Sequence, residues 1–513
     1  MQISQIKYKL ILLITLISFS FSCNKDLPLS LVPNTPSQAP DYFCTWNLQG
    51  YVCSHQSNES FRYAMNEKYL FGDGPLENWL NAFPEIRMDM DFVMDDSWDI
   101  PQDQNDANND YLGSMVLDSS RFPSFTGTNS ERLLKLVTAI KKRGWRGAGG
   151  WVCAQEPLAL GEIDPENFWT ERLKEADAAG FSYWKVDWGK QSNNEKWRRM
   201  LSDLGHKYAP NLFIEHVLDN SFITFSDAFR TYDVENVISQ PTTIGRIVDL
   251  LPYKTEKGAK GIINCEDEPY IAAGLGCAIG VMRHQFAGAF PDGKQDWSFP
   301  PTGRNMKMRR DEVIRGIRWH RIAQPFAVGG EYAVDSVKLE DYWTFKERET
   351  WLYWDEKRLP GNTIKASAPA RVSRNLPLLK STAANNPNRP FLLSSLYPNG
   401  AIAIVSIGRA LSRDYVTVPV EVEQEVPQGS YPIGIFGKFK KVTLVYPEPI
   451  EASKVIVLGQ DLATDKATNI TSRIIINANQ IIIPEDVIME IGLQKVSEND
   501  ESDPGFVMQI FSN

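Results

Sequence analysis

The chain has 513 residues and a formal net charge of −10, from 54 Lys and Arg against 64 Asp and Glu, with 42% hydrophobic residues. That is a globular composition with material for a large core, which excludes wholesale disorder and a low-complexity fibre. No concentrated basic stripe is present to neutralise phosphates, so nucleic acid is not an expected partner and neutral or weakly charged ligands fit better.

The first residues read as an address. Lys7 and Lys9 precede an apolar stretch, Leu10 to Phe21, too short for a permanent membrane span. It ends in Ser20-Phe21-Ser22-Cys23. This resembles a bacterial lipoprotein signal: residues 1–22 would be removed and Cys23 lipidated, anchoring the chain to the cell envelope, in the periplasm or at the outer-membrane surface. A simple secretory signal with Cys23 unpaired is the alternative. Residues 23–40, with Pro and Ser, read as a tether. Export would permit disulfides among Cys44, Cys53, Cys153, Cys265 and Cys277, and Cys44 and Cys53 are close enough for a small loop, though spacing alone does not establish a bond. No CxxC or HExxH spacing occurs, so neither a metal nor a cofactor is expected.

From residue 41 short apolar strands alternate with helical stretches, the pattern of βα units around a parallel sheet. Strands are expected near Tyr42–Asn47, Phe92–Trp98, Gly147–Cys153, Tyr183–Trp188, Leu212–Val217, Phe229–Val234, Gly261–Cys265 and Phe326–Gly329. Helices are expected over Glu131–Lys142, with Leu133, Leu134, Val137 and Ile140 at helical spacing, and over Trp169–Ala179. Eight strands predict a (β/α)8 TIM barrel over 41–360. Residues 361–513 change texture: Pro398-Asn399-Gly400 is a turn, Val416 to Val422 alternate, and Ile474–Ile476 face Ile481–Ile483 in a hairpin. An antiparallel β-sandwich without intervening helices is expected there, with a loop-like acidic stretch over Glu498–Asp503.

Barrel chemistry belongs at the C-terminal strand ends. The expected strands end in Asp95-Asp96-Ser97-Trp98, Lys185-Val186-Asp187-Trp188, Glu215-His216, Asp233-Val234-Glu235 and Glu266-Asp267-Glu268. Converging, these acids would form a bowl walled by Trp98, Trp151, Trp184 and Trp188. Carboxylates accept hydrogen bonds from sugar hydroxyls, indoles cover the C–H faces, and two carboxyls can break a glycosidic bond. A single strand-end Asp is more often a helix N-cap, but five in consecutive register point to a site. Glu266, Asp267 and Glu268 read as a solvated loop cluster.

In order, Asp95-Asp96-Ser97-Trp98, Arg121-Phe122-Pro123, Arg143-Gly144, Lys185-Val186-Asp187 and Arg230 with Asp233 resemble the motifs of the melibiase clan, retaining exo-α-glycosidases of glycoside hydrolase families 27 and 36. The resemblance covers about 41–360. It implies that Asp187 is the nucleophile and Asp233 the acid/base, with Glu235 a minor competitor because the Arg230 to Asp233 spacing is one residue shorter than in family 27. It implies that Asp95 and Asp96 bind the 4- and 6-hydroxyls, that Glu215 stands near the 2-position, and that Arg230 orients Asp233 or ring hydroxyls. Trp98, Trp151 and Lys185 complete the substrate-binding set. Ser97 and Trp188-Gly189 depart from the cysteines of eukaryotic members, and Pro269 to Arg309 reads as an insertion without a family counterpart, forming a lid or a partner surface.

The expected activity is release of terminal α-linked galactose from an oligosaccharide or polysaccharide. The alternatives are a β-L-arabinopyranosidase, an α-N-acetylgalactosaminidase, a carbohydrate-binding lipoprotein that has lost catalysis, and a structural barrel whose strand-end acids merely cap helices.

Overall fold

The structure is a computed structural model that describes residues 27–54, 57–232, 238–286, 289–293, 306–346, 359–383 and 385–512. Cys23 and Asp233, and with it Glu235, lie outside these residues. Eight parallel strands close into a barrel: β1 Tyr42–Cys44, β2 Asp91–Met94, β3 Gly147–Val152, β4 Tyr183–Val186, β5 Phe213–His216, β6 Ala228–Arg230, β7 Ile262–Glu266 and β8 Ala278–Val281. Closure is made by β8 against β1, with Gly280 opposite Tyr42.

The first seven strands fall within the expected segments or a residue from them. The eighth does not: Phe326–Gly329 is irregular, and β8 lies within the stretch expected to be an insertion. Before it runs helix Pro269–Leu275, every residue of which is buried. Helix and strand are therefore both apolar on all sides and show neither period. Gly276 separates them in the left-handed region, φ 62°, a conformation glycine adopts without a Cβ penalty.

The outer helices follow local rules. Helix Asn129–Lys142 starts with a Thr128/Glu131 capping box and buries Leu133, Leu136, Val137 and Ile140 on one face. Leu134, assigned to that face by the sequence spacing, is 48% exposed. Helix Pro165–Ala179 begins on proline and ends at Gly180, φ 74°, the usual asymmetry of helix ends.

Beyond the barrel lie β sheets of eight, five and four strands. They are mixed rather than antiparallel: the pairs of Arg371–Arg374 with Phe391–Leu396, of Ile402–Ile407 with Ile433–Phe436 and of Val420–Glu425 with Phe439–Val445 are parallel. The expected hairpin forms between Ile475–Asn477 and Gln480–Pro484. A helix, Glu485–Gly492, follows it, where none was expected. Strands Tyr332–Val334 and Lys338–Thr344, which precede residue 360, pair with these sheets and not with the barrel.

The two parts share a tight face. A Cβ on Gly274 would stand 2.8 Å from Val405 Cγ2, so the helix before β8 can lie directly on the large sheet. Helix Arg310–Trp319 adds a buried fork, with Arg315 Nε and Nη2 donating to Asp461 at 2.9 and 3.0 Å.

Residues 29–40, expected as a tether, are fastened to the fold. Ala467 N–H donates to Leu29 O at 2.8 Å, Ser37 N–H donates to Asp89 at 2.7 Å, and Arg146 donates to the carbonyls of Ser37 and Ala39. Asp89 and Arg146 precede β2 and β3, so this strap crosses the N-terminal face of the barrel.

Candidate active site

Side chains alternate along a strand, and β4 shows the consequence. Lys185 and Asp187 point into the barrel, whereas Trp184 points outward and meets Trp169 edge-on at 6.0 Å between ring centres. Trp184 is therefore core, not a wall of the bowl. Trp98 also faces the helices: a Cβ on Gly150 would come within 3.0 Å of its indole, and its Nε1 donates to Trp151 O at 2.9 Å. It braces Trp151 from behind, outside the mouth. Trp151 and the half-buried Trp188 do meet at the mouth, with ring centres 5.6 Å apart.

Asp187 stands at the centre. Trp151 Nε1 donates to Oδ2 at 3.1 Å. Oδ1 lies 3.0 Å from Arg230 Nη2, yet no N–H points at it, so that contact is electrostatic and Oδ1 receives no hydrogen bond. Burial would raise this carboxyl, but Arg230 and Lys185, with the Trp151 hydrogen bond, overcome it and hold Asp187 below the usual aspartate value. Arg198, from helix Glu195–Tyr208, donates to the Asp187 carbonyl at 2.6 Å and fixes the strand end.

Asp95 and Asp96 diverge as adjacent residues must. Asp95 accepts from Lys185 Nζ at 2.6 Å and from the Cys44 thiol at 2.8 Å. Asp96 accepts from Arg62 Nη2 at 2.6 Å and from Ser97 Oγ at 2.8 Å, and burial still leaves its carboxyl above the ordinary value. Cys44 and Cys53 are both free thiols. Arg121 of the Arg-Phe-Pro segment donates to Ile100, Arg62, Met65 and Pro101 carbonyls and to Asn105 Oδ1, so it shapes the loop after β2 and makes no contact with the acids.

Glu215 pairs in register with Lys185, which places it one layer below Asp187. Tyr183 Oη donates to it at 2.7 Å and Tyr42 Oη reaches it at 3.5 Å. Arg230 lies 3.5 Å from Glu215 and 3.5 Å from Glu266. Burial, against the pull of Arg230 and Tyr183, raises Glu215 to about 7. Five carboxyls (Asp95, Asp96, Asp187, Glu215, Glu266) thus face three cations (Lys185, Arg62, Arg230), and the surplus acid resides in the deepest layer.

Glu266 and Arg62 lie outside the substrate-binding set expected from the sequence. Glu266 was read as part of a solvated cluster but is 1% exposed, with Oε2 lacking a hydrogen bond; its position at the end of β7 was the usable signal. Arg62, on helix Asn58–Tyr63, carries no sequence signal at all. Asp267, next to Glu266 in the chain, has a structural task, accepting from the Met282 and Arg283 amides beyond β8. Among the described residues no group of three His, Cys, Asp or Glu side chains could hold a metal ion.

No protein-family model matches the chain, and no curated protein matches it. Among solved structures it is similar to α-galactosidase I from Mortierella vinacea, at 11% identity over 95% of this chain and 98% of that one, with a TM-score of 0.40. It is also similar to the Saccharomyces cerevisiae α-galactosidase, at 9% over 93% and 100% with a TM-score of 0.37. The α-amylase of Geobacillus thermoleovorans aligns at 8% over 93% and 99%, with a TM-score of 0.42.

Proposed function

We propose that this chain is a retaining, exo-acting glycoside hydrolase that removes terminal α-linked galactose from oligosaccharides. The observation that carries the reading is Asp187: a buried carboxylate at a barrel strand end, kept ionised by two cations, held through Oδ2 by Trp151 and carrying an Oδ1 with no hydrogen bond. That is how a nucleophile must be presented to an anomeric carbon. The atoms around it suit a polyhydroxylated ligand, because Arg62 Nε and Nη1 are donors without partners and Glu266 Oε2 is an acceptor without one. A hydroxyl both donates and accepts, and can satisfy either kind.

In the proposed reaction Asp187 Oδ1 attacks the anomeric carbon while Asp233 protonates the departing oxygen; water, activated by Asp233, then releases the sugar with its configuration retained. Asp95 and Asp96, held apart by Lys185 and Arg62, receive two hydroxyls in different directions, the 4-OH and 6-OH. A site built for an axial 4-OH leaves a buried acceptor unpaired when glucose presents it equatorially, a mismatch worth up to about 10⁴ in specificity. Glu215, in the deeper layer, acts on Arg230 rather than on the 2-position. We also propose export and lipidation at Cys23, which would place the enzyme at the cell envelope.

The decisive experiment follows the anomer first released from p-nitrophenyl α-galactoside by proton NMR. The α-anomer is expected. First release of the β-anomer, or preference for α-glucoside, would overturn the reading.

A further inference from the structure

Four residues other than glycine that directly follow barrel strands or lie within three positions of them have left-handed backbones: Ser97, φ 86°, after β2; Leu218, φ 89°, after β5; Tyr232, φ 56°, after β6; and Asp267, φ 52°, after β7. For a bulky residue this conformation is strained, because Cβ crowds the following carbonyl oxygen. Ser97 and Asp267 are buried and hydrogen-bonded. Leu218 and Tyr232 are different, because they accept the strained backbone and still leave their side chains 42% and 48% exposed.

Both sit on one edge of the mouth, since β5 and β6 are paired neighbours. Tyr232 is fixed in place: the Arg246 guanidinium donates to the carbonyls of Thr231 and Tyr232, and the Arg230 guanidinium carbon lies 5.1 Å from the ring centre. One ring face thus covers the cation that touches Asp187, and the ring is close enough for the Asp187 charge to push the phenol above its ordinary value. Leu218 is followed at once by a short 3-10 turn over Asn220–Thr224, which Asp219 caps through Ser221 N–H at 2.9 Å. Core burial does not account for the pair, and a glycine would sit at either position without strain.

We infer that Leu218 and Tyr232 form an apolar platform at the β5–β6 edge of the mouth that receives the leaving-group unit, a second pyranose ring whose C–H face lies on the Tyr232 ring. This rests on the hydrolase reading above. An aromatic face beside the nucleophile, on the water side of the rim, is where a sugar leaving the anomeric carbon would lie. The enzyme would then select its substrate by the residue behind the scissile bond as well as by the terminal sugar.

The test compares two substrates that deliver the same terminal sugar, α-galactosyl fluoride, whose leaving group is a bare ion, and α-galactosyl-1,6-glucose. The readout is the ratio of kcat/KM for the disaccharide to that for the fluoride. Tyr232→Ala should lower the ratio about tenfold, Leu218→Ser should lower it less, and Tyr232→Phe, which keeps the ring face, should restore it. An unchanged ratio in Tyr232→Ala, or an equal loss on both substrates, overturns the platform. If the wild-type chain hydrolyses neither substrate, the hydrolase reading falls and the platform with it.

Discussion

Lys185 Nζ lies 2.6 Å from Asp95 Oδ2, and both side chains are 4% exposed. The pair is sealed inside the barrel between the second and fourth strands. Removing one partner strands the other charge away from water, which costs about 3–5 kcal/mol. Lys185→Met should therefore lose stability of that size in urea denaturation and lose activity. The double variant Lys185→Met/Asp95→Asn should recover most of the stability and none of the activity, which separates the scaffold role of the pair from its task in the site.

The two proposed catalytic acids should respond differently to neutralisation. Asp187→Asn should abolish turnover of every substrate, because attack on the anomeric carbon is lost whatever departs. Asp233→Asn should cripple unactivated galactosides and spare p-nitrophenyl substrates in the first step, since a good leaving group needs no proton. Steady-state and burst kinetics on both substrate types read the difference; activity in Asp187→Asn would place the nucleophile elsewhere.

Asp99 gives a pH signature in stability. Its carboxyl is buried, Oδ2 accepts only the Met115 amide at 3.1 Å, and Oδ1 has no partner. Burial raises it to about 7, whereas the unfolded chain ionises it near 4. Between those values the folded state holds a proton that the unfolded state has released, so this group's contribution to stability falls as pH rises from about 4 to about 7. Asp99→Asn removes that dependence. Its melting temperature should match the wild type at pH 4 and exceed it by a few degrees at pH 8, as scanning calorimetry would show; an equal offset at both pH values would contradict the assignment.

Lipidation at Cys23 is tested by Cys23→Ala, which should move the protein from the membrane fraction to the soluble fraction without changing its kcat/KM. Unchanged membrane association of the variant would remove the lipid anchor from the proposal.

What the sequence disclosed depended on whether a residue's neighbours leave a periodic trace. Strands β1 to β7 were legible because each is a short stretch with apolar residues, set between helical or loop segments, and most carry polar or acidic residues at the mouth end. The eighth was not, because Pro269 to Val281 is apolar without interruption, covered by the barrel on one side and the large sheet on the other. Asp95, Asp96, Lys185, Asp187 and Arg230 were legible as a set, since period two along β4 turns Lys185 and Asp187 to the same side and an ordered run of motifs marks the strand ends that carry the others. Trp98 and Trp184 have the residue type of a sugar-binding wall, but both indoles lie on the helix side of the barrel. Arg62 and Tyr42 reach the site through tertiary folding of the first βα unit, and no local pattern announces that. Glu266 belongs to an acidic run whose composition suggests solvent, and its place at the end of β7 is the signal that outweighs that composition.

The strap over the N-terminal face has a consequence for reach. From Leu29 onward the backbone is bonded to the barrel and the large sheet, so only five residues, six residue-to-residue steps, separate that point from Cys23. Fully stretched, they span roughly 20 Å. A molecule moored at Cys23, as proposed, would thus ride close to its membrane with the strapped N-terminal face of the barrel toward the anchor and the opposite mouth, with Asp187, turned away from it. On the proposed function, sugar chains arriving from the medium would meet the mouth directly, and glycans rooted in the same membrane would have to be long enough to bend over the body of the molecule.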